Sequence, residues 1–180
     1  MFDSFIKWLD AFLLELFHGD KAVMEIDHTE PVNEPLVPAT PTKEFPAQRL
    51  AAEARAWLGL DASPQNKAPQ ELSCAEGVVN IVNVCWPNTL SENIVGTDAL
   101  FAALKKSPKF KAVSDPVPGC IVVSPRTATI NGHTGIYTES DTIASNDSRD
   151  GKFRENYTRA KWRRDFIVKK DLKGYLFEPV

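Results

Sequence analysis

The run AEGVVNIVNVC, residues 75–85, constrains the fold more than any other stretch, because it is apolar around almost its whole circumference. Ala75, Val78, Val79, Ile81 and Val82 leave little polar face for water, so a helix built from them must be covered on several sides. The neighbouring segments have to supply that cover. Upstream, PAQRLAAEARAWLGL reads as an amphipathic helix, with Pro46 suited to a helix start and Leu50, Ala54, Trp57 and Leu58 on one face. DASPQNKAPQ then reads as a loop. Downstream, ALFAALKK predicts a further short helix with Thr97 or Asp98 as its N-cap.

Beyond these helices the apolar period shortens to two, or to brief continuous runs. GCIVVSP, HTGIYTE, DTIASN, DFIVKK and GYLFEPV are separated by Pro, Gly, Asn and Asp, and each reads as a short strand. Helices first and an antiparallel sheet second predict an α+β fold. A chain of 180 residues is long enough for one compact core plus an appendage.

The appendage is expected at the N-terminus. Phe2, Phe5, Ile6, Leu9, Phe12, Leu13, Leu16 and Phe17 recur at helical spacing, which predicts an amphipathic helix over residues 1–20. Residues 21–46 carry five prolines in HTEPVNEPLVPATPTKEFP and read as an extended linker, leaving 47–180 as the folded domain. Asp3, Lys7, Asp10 and Glu15 interrupt the apolar run, and no basic segment leads it, so it is neither a signal peptide nor a membrane span. Phe2, Phe5, Leu9, Phe12 and Leu16 would instead dock on the chain's own domain, on a partner or in an oligomer; lying on a membrane surface is the less favoured reading.

The net charge of −3 gives no overall reason to expect a nucleic-acid partner. Residues 149–180 nevertheless hold ten bases against five acids, including Arg159, Lys161, Arg163, Arg164, Lys169 and Lys170. A solvated surface explains them, as does attraction to an anionic polymer. Tyr157, Trp162 and Phe166 are too few among these cations to argue for nucleic acid.

Three cysteines, Cys74, Cys85 and Cys120, cannot all pair within the chain, and their spacing matches no zinc motif. Cys85 closes the buried helix and Cys120 heads an apolar strand, so both read as packing residues. Cys74 stands at the start of the central helix, where the helix N-terminus favours a thiolate. An imidazole would complete the pair. His18 and His28 fall in the appendage and linker, whereas His133 in NGHTGIYT opens a strand just after a Gly turn.

LSCAEGVVNIVN, PGCIVVSP and GHTGIYTESDTIASNDSRDGKF together resemble the NlpC/P60 and CHAP cysteine peptidases, over roughly residues 47–168. GHTGIY is the most specific block of the likeness; Ser73, Ala75 and Cys120 stand where members often carry Asp, Ser and Asp. The resemblance implies a papain-like core, with N-terminal helices packed on an antiparallel sheet. It also implies a thiol hydrolase that cuts a peptide or amide bond of bacterial peptidoglycan, without metal or organic cofactor.

In such a site Cys74 is the nucleophile, His133 the base, and a third side chain orients the ring. Asn146 is the expected third member and Asp147 the alternative, since neighbours on a strand face opposite ways. The Cys74 backbone N–H would serve the oxyanion. Gln70, Gln65 and Ser73 are candidates for a further donor or a substrate contact, as is Asp147 if Asn146 holds the ring. Delivery to the wall would follow phage lysis, carriage in a virion, or secretion as an effector. An adaptor that keeps the fold as a binding module, or an acyltransferase with the same dyad, remains compatible with these residues.

Overall fold

The computed structural model describes residues 46–65 and 67–180. The expected N-terminal helix (1–20) and all but the last residue of the expected linker (21–46) lie outside them. Helix α1, Pro46–Ala56, buries Ala47, Leu50, Ala51 and Ala54. After a loop and a 3-10 turn at Gln70–Leu72 comes helix α2, Cys74–Cys85. Its buried residues, from Cys74 through Cys85, include Val78, Val79, Ile81 and Val82, as an all-round apolar surface requires. Helix α3, Thr97–Lys106, buries Leu100 and Leu104. Its N-cap is Gly96, not Thr97 or Asp98. Tertiary partners take both of those side chains: Thr97 Oγ1 accepts the Arg126 N–H at 2.9 Å, and Asp98 pairs with the Arg126 guanidinium at 2.8 Å.

Six strands follow: β1 (Phe110–Val113), β2 (Ile121–Ser124), β3 (His133–Tyr137), β4 (Thr142–Asn146), β5 (Phe153–Thr158) and β6 (Tyr175–Pro179). They form one antiparallel sheet in the order β1-β6-β2-β3-β4-β5, so the last strand enters between the first two. The fold is therefore α+β, as expected.

Both faces of the sheet are covered. Ile121, Val123, Ile136, Ala144 and Phe177 join Leu50, Val78, Val82 and Leu104 in a core beneath α1–α3. Val122, Tyr137 and Ile143 point the other way and pack with Trp162, Phe166 and Leu172. DFIVKK corrects the strand reading, because helix α4, Arg159–Trp162, runs on into a π-helical turn at Arg163–Val168. Trp162 and Phe166 lie one helical turn apart, which puts both rings on the sheet's second face. Among the described residues no helix is long and apolar enough to cross a membrane.

Helix α2 comes close to β4 at Gly77. A Cβ there would lie 2.7 Å from Asn146 Oδ1. The amide cannot retreat freely, since its Nδ2 donates to Ser63 Oγ at 3.0 Å and to Ser73 Oγ at 2.9 Å. Gly77→Ala is therefore expected to cost about 1–3 kcal/mol through overpacking. Urea unfolding checks this, and an unchanged midpoint would show that the helix sits more loosely on β4 than described.

Candidate active site

Cys74 is the first residue of α2, immediately after the 3-10 turn. Ser73 ties the two elements together: its Oγ donates to Gln70 O at 2.8 Å and accepts from Asn146 Nδ2, and its carbonyl accepts the Gly77 N–H at 3.0 Å. The helix start is thereby pinned to the end of β4. The Cys74 side chain is buried at the floor of a cleft of about 480 Å³, and His133 lines the same cleft. Burial pushes the thiol up to about 11, while the backbone N–H groups of Thr134, Ala75 and Cys74 itself, and the charge of Lys170, act in the opposite direction. The Thr134 N–H belongs to the residue after His133, so the sulfur rests against the start of β3.

His133 opens β3, in register with Ser124 of β2. Its half-buried ring lies on the sheet's second face, packed against Phe166 (centroids 5.0 Å, 19° between planes), Trp162 (5.3 Å, 25°) and Tyr157 (5.3 Å, 64°). Trp162 is fixed in turn, its Nε1 donating to Ser124 Oγ at 3.2 Å. This apolar enclosure lowers the His133 pKa to about 4; Lys170 lowers it further and Asp147 opposes the change.

The residue on the far side of the ring is Ser145. His133 Nε2 lies 2.9 Å from Ser145 Oγ, and Ser145 Oγ donates to Asn156 Oδ1 at 2.9 Å. A serine hydroxyl has one proton, and here it goes to the Asn156 carbonyl oxygen. Ser145 Oγ must then accept from His133, which fixes the proton on Nε2 and leaves Nδ1 as the basic nitrogen. Gly135 makes room for the contact, because a Cβ there would lie 2.6 Å from Ala144 O and 3.2 Å from Ser145 Cβ.

These contacts correct the expected third member. Asn146 does not meet His133; it faces α2, bonded to Ser63 and Ser73. Asp147 does not bond the ring either. Its carboxylate accepts from Arg149 Nε at 2.9 Å and from the Arg149 N–H at 3.0 Å, and the Arg149 bond holds it down to about 2. Gln70 turns its amide oxygen toward the N–H groups of Asp150 (3.2 Å) and Gly151 (2.8 Å), bracing the β4–β5 loop. Gln65 is exposed and does not line the cleft. Cys85 and Cys120 are buried, and Cys120 Sγ accepts the Val117 N–H at 3.4 Å.

Residues that sequence reading passed over complete the site. Tyr157, Trp162 and Phe166 enclose the imidazole, so their interleaving with cations reflects burial rather than base stacking. Glu76, buried in the first turn of α2, accepts the N–H groups of Lys67 (3.1 Å) and Ala68 (3.3 Å), which holds that part of the cleft wall. Ser145 emerges only with the β3–β4 register. Among the described residues no cluster of His, Cys, Asp and Glu is arranged to hold a metal.

No protein-family model matches the chain, and no curated protein matches it. Among solved structures, the chain is similar to one from "Crystal structure of the type VI native effector-immunity complex Tae3-Tai3 from Ralstonia pickettii". The likeness is one of fold. It covers 76% of this chain and 100% of that one, at a TM-score of 0.50 and 12% identity.

With the thiol near 11 and the imidazole near 4, both groups are uncharged over the intervening range. The sign follows: alkylation of Cys74 by iodoacetamide should climb through pH 9 toward about 11 as thiolate forms. Rates measured on the free protein check this. A plateau between about pH 5 and 8 would instead mark a pre-formed thiolate–imidazolium pair.

Proposed function

We propose that the protein is a thiol hydrolase of bacterial peptidoglycan, with Cys74 as nucleophile and His133 as general base. The observation that supports the reading is that a helix-start thiol and a strand-start imidazole line one cleft, with Ser145 Oγ at His133 Nε2. The cell-wall substrate rests on the motif resemblance to NlpC/P60 and CHAP enzymes. The fold likeness to a chain of an effector–immunity complex is compatible with a secreted role and with a protein partner.

In the proposed cycle, an amide carbonyl enters above Cys74. The thiol proton passes to His133 Nδ1 as sulfur attacks the carbonyl carbon, and the Nε2–H bond to Ser145 steadies the ring. The oxyanion would lie against N–H groups at the start of α2, including that of Cys74. Collapse of the tetrahedral adduct breaks the C–N bond, and the amine leaves with the proton from His133. Water, deprotonated by the same nitrogen, then hydrolyses the thioester to carboxylic acid and thiol. If an amine replaced water in the last step, the protein would be an acyltransferase.

Because both groups rest neutral, the proton moves from sulfur to Nδ1 during the attack and not before it. Wall access would come through phage lysis, a virion or a secretion machine. A second reading has one observation in its favour: a thiol this deeply buried and this hard to ionise also suits a binding module whose cysteine is inert.

Release of new amino and carboxyl ends from purified sacculi distinguishes the two. Cys74→Ala and His133→Ala are each expected to lower the rate at least about a thousandfold. Ser145→Ala, which leaves the Nε2–H without its acceptor, is expected to lower kcat roughly 10- to 100-fold with little change in KM. Equal release by wild type and Cys74→Ala would overturn the hydrolase reading.

A further inference from the structure

The wall of the cleft over Cys74 is one-sided in charge. Lys67, Arg126 and Lys170 line it, and among the described residues no carboxylate does. Two of these cations already have partners: Lys67 lies 3.7 Å from Glu92, and Arg126 lies 2.8 Å from Asp98. Lys170 has no carboxylate within ion-pair distance among the described residues. It is nonetheless held in place. Its Nζ lies 4.9 Å above the Phe166 ring and donates to Asn131 O at 3.4 Å. Phe166 is also the ring stacked on His133, so one aromatic side chain carries both the ammonium group and the proposed base.

We propose that this cleft takes substrates with a free carboxylate next to the bond attacked, and that Lys170 is the residue that meets that carboxylate. The assignment rests on the hydrolase reading above and narrows its substrate class to acidic peptides. A carbonyl carbon over Cys74 and a carboxylate at Lys170 fit one bound peptide, because both groups face the same cavity. The charges of Lys67 and Arg126 add a field of the same sign, although their ion pairs reduce it. Lys170 is a binding residue in this account, since the bond-breaking proton passes through His133.

Two small reagents test the carboxylate site without any wall cleavage. Iodoacetate and iodoacetamide both alkylate sulfur with loss of iodide, and they differ in a carboxylate against a carboxamide. Their rate ratio at Cys74, read by peptide mass spectrometry and divided by the same ratio for N-acetylcysteine, reports how the cleft treats a carboxylate. Wild type is expected to favour iodoacetate, and Lys170→Met to lower the normalised ratio about fivefold, the size of a partly exposed ion pair. Lys170→Arg should keep the preference and Lys170→Glu should reverse it. Lys170 is exposed, so these variants leave the core intact. An equal ratio in wild type and Lys170→Met, or loss of the preference in Lys170→Arg, would overturn the proposal.

A second comparison separates this proposal from the function it rests on. Sacculi whose carboxylates have been converted to carboxamides with ammonia and carbodiimide should be cleaved more slowly than native sacculi by wild type, and no more slowly by Lys170→Met. Should wild type and Cys74→Ala release equal ends from native sacculi while the alkylation preference persists, the hydrolase reading fails and the carboxylate site stands. If wild type cleaves native and amidated sacculi alike, the hydrolase stands and the carboxylate site fails.

Discussion

Because the sheet is covered on both faces, each pair of consecutive residues at the ends of β3 and β4 is divided between two environments. At β3 the His133 ring goes to the aromatic side, while Thr134 presents its backbone N–H to the Cys74 sulfur. At β4 Ser145 goes to the aromatic side and receives His133, while Asn146 goes to the helix side and fastens Ser73. The two strands thus position the imidazole from one face and the thiol from the other. Register alone couples them: a slip of one residue in β4 would exchange Ser145 for Asn146 and undo both attachments.

The electrostatics follow from the same enclosure. A ring packed against Phe166 and Trp162 has lost much of the water that would solvate an imidazolium, and a thiol buried in the cleft has lost the water that would solvate a thiolate. Helix-start N–H groups and Lys170 favour the sulfur anion but do not outweigh burial. The proposed catalysis would depend on proton transfer concerted with attack, when the charge moves onto a carbonyl oxygen that backbone donors can reach. Lys170 acts on both groups in ways that differ in consequence: it favours thiolate and disfavours imidazolium.

Much of this was legible in the sequence. The all-round apolar run at 75–85 located the central helix, and the change of period after residue 110 located β2, β3, β4 and β6. The strands that escaped notice, β1 and β5, are the sheet's two edges, and FKAV and FRENYT each bury a single residue, so they carry no alternating signal. DFIVKK misled because its apolar residues are consecutive, and only their packing with Trp162 shows helical spacing. Cys74 and His133 stood out by residue type at element starts. Asn146, with Asp147 as the alternative, follows from the family likeness; Ser145 emerges only once the β3–β4 register places it on the face that carries the His133 ring. Lys170 did not stand out among the bases of the C-terminal segment: it sits four residues from Phe166, and the packing of Phe166 on His133, which is distant in sequence, ties it to the cleft.

The account stands on His133 being a neutral ring, protonated on Nε2, beside an un-ionised thiol. Nitrogen-15 NMR of the imidazole across a pH series measures this directly, with the resonances assigned by their loss in His133→Gln. The ring is expected to keep its proton on Nε2 and to stay neutral down to about pH 4. A ring that titrates near its ordinary 6.5, or that carries its neutral-state proton on Nδ1, would contradict the enclosure and the serine contact on which the proposed chemistry depends.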